Sequence, residues 1–188
     1  MTNGVFSEYE VREMGVKFKS DTEYAPANCV GSSEEEMEAK VVSKSCRGVV
    51  VKQTVRGTGK GTLSLSLHIP YAIYLKAYGM ELDTLIEGVK AYGTNSVHEA
   101  FGITQHVFDE DGVEMFKAYP NCIITSGKTA KTENGADEVA EIELEISVMP
   151  DEYGNGVYQA LATELADETA KTNWMTKFEP SMVQVKTA

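Results

Sequence analysis

The chain has 188 residues (20.6 kDa) and carries 17 Lys and Arg against 29 Asp and Glu, a net charge of −12. With 42% hydrophobic and 24% charged residues it is expected to form one compact domain, and wholesale disorder is excluded. The acidic balance argues against a surface built to hold nucleic-acid phosphates, which needs a cationic excess, and no stretch approaches the roughly 20 apolar residues of a membrane-spanning helix.

The opening residues 1–10 are polar and acidic, without the basic start or apolar run of a secretory signal, so a soluble chain made inside the cell is expected. Residues 14–19 read as a strand and 24–33 as a loop, and the first 45 residues as a whole look irregular. The run Glu34, Glu35, Glu36 and Glu38 reads as a solvated surface. Cys29, Cys46 and Cys122 are far apart, which points to free thiols buried as small hydrophobes rather than to disulfides or structural zinc.

A long antiparallel hairpin is predicted over 49–69. Val49, Val51 and Val55 alternate with Val50, Lys52, Thr54 and Arg56, and Gln53 interrupts the apolar side. After a glycine-rich stretch the alternation resumes, with Leu63, Leu65, Leu67 and Ile69 on one side and Thr62, Ser64, Ser66 and His68 on the other. The tip of this hairpin is expected at Arg56, Gly57, Thr58, Gly59, Lys60 and Gly61. The same stretch superficially suggests a phosphate-binding loop, but Gly61 follows Lys60 where Ser or Thr is required, and a strand follows where a helix should open. Pro70 then ends the strand. Tyr71, Tyr74, Leu75 and Tyr78 fall at i, i+3, i+4 and i+7, the packing face of a short helix stopped by Gly79.

Two further strands are expected at 101–108 and 113–125, flanking the turn residues Asp109-Glu-Asp-Gly112. That turn lacks the ligand pattern and flanking helices of a calcium loop. A polar loop follows over 126–138. Then Ile142, Leu144 and Ile146 alternate with Glu141, Glu143 and Glu145, the sharpest two-residue period in the chain. Residues 157–165 fit either a helix or a strand; a strand paired with the Glu-rich one is preferred. Asp167 is placed to cap a short helix leading to Trp174 and Phe178, with Pro180 ending it. His68, His98 and His106 show no metal-ligand spacing, and no nucleophile motif is present, so neither a catalytic residue, a metal nor a cofactor is expected.

This arrangement resembles the major tail protein, or tail tube protein, of long-tailed bacteriophages. The likeness is carried by residues 15–25, 48–79, 107–124 and 138–158, including Ile142-Glu-Leu-Glu-Ile-Ser-Val-Met-Pro-Asp151, about three quarters of the chain. The resemblance implies a single mainly-β domain, a β-sandwich or barrel of antiparallel strands with one or two short flanking helices. It further implies a structural virion protein without an active site, whose copies close into hexameric rings that stack as a tube. Its partners would be further copies of itself and other tail proteins such as tape measure, tip and terminator. DNA would be only a passing, repelled cargo, with assembly in the bacterial host cytoplasm and no membrane. On this resemblance Glu141, Glu143 and Glu145 are candidates for the channel wall, and the 56–61 tip is a candidate inter-subunit contact. The inner tube protein of a contractile tail or phage-like bacteriocin particle, and a β-sandwich module binding carbohydrate or host protein, are the competing readings.

Overall fold

The computed structural model describes residues 5–132, 134, 135 and 137–185; expectations for residues 1–4 and for part of the 126–138 loop lie outside the described residues. The protein is mainly β. Eight strands form one antiparallel sheet: β1 (Glu10–Phe18), β2 (Ala25–Pro26), β3 (Val30–Cys46), β4 (Val49–Leu67), β5 (Phe101–Phe108), β6 (Glu114–Ile124), β7 (Ile142–Val148) and β8 (Tyr158–Leu161). Their order is β2-β1-β5-β6-β7-β4-β3, with β8 pairing β6 from the side.

Strand β6 is where the sheet divides. Its first half, Met115 to Ala118, pairs β8, whereas Cys122 to Ile124 pairs β7. Pro120 lies between the two halves, where a missing N–H and a register irregularity against β5 suit a strand changing partners. One layer therefore runs β2-β1-β5-β6-β8 and the other β6-β7-β4-β3. Between them lies the main core: Met14, Val16 and Phe18 from β1, Leu63, Leu65 and Leu67 from β4, and Leu144, Ile146 and Val148 from β7. Each trio follows the two-residue period of a half-buried strand.

Helix α1 (Tyr71–Ala77) covers one end of this core. Tyr74, Leu75 and Tyr78 are buried as their spacing predicts, together with Ile73 and Ala77. Tyr71 departs from the expected packing face: it is 66% exposed, because it starts a seven-residue helix and projects beyond the edge that the core covers. Helix α2 (Glu168–Lys177) lies on the other side of the first layer. Asp167 caps it, accepting from the backbone N–H groups of Thr169 and Ala170. Trp174 and Phe178 seal a second cluster with Tyr24, Phe116 and Ala118, and the indole N–H donates to the carbonyl of Lys117 at 3.2 Å.

Several expectations are corrected. The 49–69 hairpin does not exist as such, because residues 49–67 form a single continuous strand. The hairpin partner is β3, in the stretch read as irregular and acidic. The true tip is Arg47-Gly48, where both residues have positive φ (51° and 79°), as a primed two-residue turn requires. Residue stretch 157–165 does contain a strand, but β8 pairs β6 rather than the Glu-rich β7, whose two edges are already taken by β4 and β6. Of the three cysteines only Cys122 is buried; Cys29 and Cys46 are exposed.

Candidate assembly interface

The glycine-rich stretch has a different role from a tip. Register pairs Met37↔Gly61 and Ala39↔Gly57 enclose one residue on β3, Glu38, and three on β4, Thr58, Gly59 and Lys60. The result is an enlarged bulge at mid-strand. Gly59 adopts φ of 74°, and a side chain there would run into the backbone of Gly154, so the bulge also seats the 150–156 loop. The Thr58 hydroxyl donates to the carbonyl of Glu38 at 3.3 Å and accepts from the Lys60 N–H at 3.2 Å. Arg56, Gly57, Thr58, Gly59, Lys60 and Gly61 thus mark the root of a projection, not its end.

Beyond the bulge, residues 39–57 leave the body as a two-stranded arm, about 25 Å long at the usual rise per residue. Nearly every residue in it is exposed. Val41, Val42, Val49, Val50, Val51 and Val55 are each at least 51% exposed. An isolated two-stranded ribbon is marginally stable in water, and this one buries no core of its own. Five of the chain's 17 Lys and Arg (Lys40, Lys44, Arg47, Lys52 and Arg56) fall within these 19 residues, together with none of its 29 Asp and Glu. The rest of the chain therefore sets 12 cations against 29 carboxylates.

Four of the five cations share one face, Arg47 lying in the turn. Lys40 pairs with Arg56 and Lys44 with Lys52, each directly across the ladder, an arrangement in which like charges repel. Strand alternation puts Val41 opposite Val55 and Ser43 opposite Gln53 on the other face, which is uncharged.

On the body, the outward face of β3, β4 and β7 is acidic and hydroxylated. Register rows place Glu34 beside Ser64 beside Glu145, and Ser66 beside Glu143. Glu143 and Glu145 are exposed, while Leu144 and Ile146 between and beside them point into the core. Glu141 reaches back over β4, where it accepts a hydrogen bond from Ser66. Two columns of carboxylates result: Glu34, Glu36 and Glu38 on β3, and Glu141, Glu143 and Glu145 on β7, about 10 Å apart across a Thr62-Ser64-Ser66 lane. None of the ion pairs among the described residues involves any of these six.

Glu35 is the exception within the acidic run. It turns inward, accepts from the Tyr119 hydroxyl and pairs with the buried Lys117 at 3.3 Å, which also pairs with Glu8 at 2.6 Å. Gln105, likewise buried, donates to Ser33 at 3.0 Å. These contacts tie β3 to β5 and β6 of the opposite layer. Burial, and then the Glu35 carboxylate, push the Tyr119 hydroxyl well above the usual tyrosine range. Sequence reasoning missed this polar seam; its available signal was Lys117 set among the apolar residues Met115, Phe116, Ala118 and Tyr119.

Among the described residues no group of three His, Cys, Asp or Glu is placed to hold a metal, and no described helix is long and apolar enough to cross a membrane. The Asp109 carboxylate accepts from the backbone of Asp111 and Val113, the contacts of a turn.

No family model matches the chain, and no curated protein is similar to it. Among solved structures it is similar to the cryo-EM structure of the anti-feeding prophage cap (AFP tube terminating cap). That similarity has a TM-score of 0.46 and 12% identity, over 85% of this chain and 97% of that chain.

Proposed function

We propose that this protein is a non-enzymatic structural subunit of a phage-tail-type particle, which associates with copies of itself into rings. In its fuller form the proposal is a hexameric ring stacked into a tube, assembled in the bacterial host and joined at its ends by other tail proteins. The β3–β4–β7 face, with Glu141, Glu143 and Glu145, would form an acidic wall past which DNA slides without adhering. The observation that carries this reading is the arm: a long, solvated, valine-bearing ribbon with nothing to pack on among the described residues. Edge strand β3 adds to it, since among the described residues one side of its backbone has no neighbouring strand. The sequence resemblance to tail tube proteins points the same way.

Purified protein examined by negative-stain microscopy and by light scattering across concentration tests the proposal. Rings or hollow rods are expected. A species that remains monomeric at high concentration overturns it and favours a binding module.

A further inference from the structure

The arm needs a partner, and its chemistry specifies one. Its cationic face sets Lys40 against Arg56 and Lys44 against Lys52, so a docked surface must be anionic to relieve the repulsion. Val42, between Lys40 and Lys44 on the same face and 51% exposed, offers an apolar contact that suits a protein surface rather than free counter-ions. The acidic column nearest in kind belongs to the same two-stranded ribbon. Along one face β3 reads Glu34, Glu36, Glu38, then Lys40, Val42, Lys44, so the ribbon is negative in the body and positive in the arm. A molecule cannot satisfy this polarity alone, because both halves lie on one extended strand and the arm cannot fold back onto its own root.

We infer that the arm of one copy docks through Lys40, Lys44, Lys52 and Arg56 on the Glu34, Glu36 and Glu38 column of a second copy. The inference rests on the self-assembly proposed above and names the partner surface within it. The contact is head-to-tail in charge, so each copy offers one arm and one acceptor, the arrangement that closes rings or propagates stacks. The β7 column of Glu141, Glu143 and Glu145 is left free of the arm. Because the pairing is between exposed charges, assembly weakens as ionic strength rises and the Debye length falls to a few ångströms.

Charge exchange tests this. An arm-reversed variant (K40E/K44E/K52E/R56E) and a column-reversed variant (E34K/E36K/E38K) should each be folded by circular dichroism. Each should need at least about tenfold more protein to assemble, and a one-to-one mixture should restore assembly. Unimpaired assembly of either variant alone, or failure of the mixture, overturns the inference while self-assembly of the unaltered chain still stands. E143K/E145K should assemble normally; if it is the variant that complements the reversed arm, the docking column is misassigned. Should reversal disturb folding, K44T/K52T removes one repelling pair and keeps the fold. It should melt no lower than the unaltered protein and yet assemble several-fold less well; unchanged assembly counts against the inference. A fluorescent DNA duplex bound through the same four cations, in preference to a second copy, would make nucleic acid the occupant and sink the proposal. An unaltered chain that never associates removes the parent reading as well.

Discussion

Strands β3 and β4 run through two regions with opposite physics. In the body, residues 61–67 of β4 alternate between core and solvent, with Leu63, Leu65 and Leu67 essentially inaccessible. Past the Gly57–61 bulge the same strands hold together by ladder hydrogen bonds alone, with water on both faces. The contrast teaches that one pair of strands serves two purposes. Where it is covered it specifies the fold, and where it is bare it is the surface that the proposed self-assembly would use. Substitutions in the two halves should therefore separate stability from assembly.

The largest effect is expected in the covered region. Trp174→Ala removes a side chain packed between Phe116 and Phe178 and its bond to the Lys117 carbonyl. It should cost about 3–5 kcal/mol, read as a lowered urea midpoint; a loss under about 1 kcal/mol would show that α2 is not part of the cooperative unit. Next comes the seam between layers. Lys117→Met leaves Glu35 and Glu8 without their cation, and because both carboxylates keep some exposure the cost should be about 2 kcal/mol, below that of a fully buried pair.

The seam also predicts an alkaline limit. The Tyr119 hydroxyl titrates higher in the folded chain than in the unfolded one, so its contribution is complete below the ordinary tyrosine value of about 10. It is lost as pH rises from there towards the folded value. Urea midpoints measured between pH 8 and 11.5 should fall above pH 10, and Tyr119→Phe should flatten part of that fall. The smallest effect on the monomer lies in the arm: Val41→Ser with Val55→Ser should change stability by about 0.5 kcal/mol or less, while reducing assembly. A large loss of monomer stability would erase the distinction between the two regions.

The body was legible in the sequence because burial on one face writes a two-residue period into it. Leu63-Leu65-Leu67 and Ile142-Leu144-Ile146 carried that signal, and Asp167 marked the start of α2. The arm was not legible for the same reason reversed: with both faces wet, nothing forces valines and lysines to alternate. The glycines at 57, 59 and 61 then imitated a turn, while the real turn was hidden at Arg47-Gly48. Arginine at positive φ is uncommon there, Asn and Asp being the usual first residues. Glu141, Glu143 and Glu145 were recognisable as one face of a strand. Their relation to Glu34 and Glu36 was not, because it depends on β4 lying between two segments a hundred residues apart.

The ladder joining β4 to β7 has a mechanical consequence. Seven register pairs, Gly61↔Val148 through Leu67↔Ile142, begin directly at the root of the arm. Antiparallel hydrogen bonds stand perpendicular to their strands, so a tug along the arm's axis loads the whole row in shear, whereas a sideways pull unzips it pair by pair. The anchorage is therefore strongest lengthwise, the direction in which a filament under tension would draw on it.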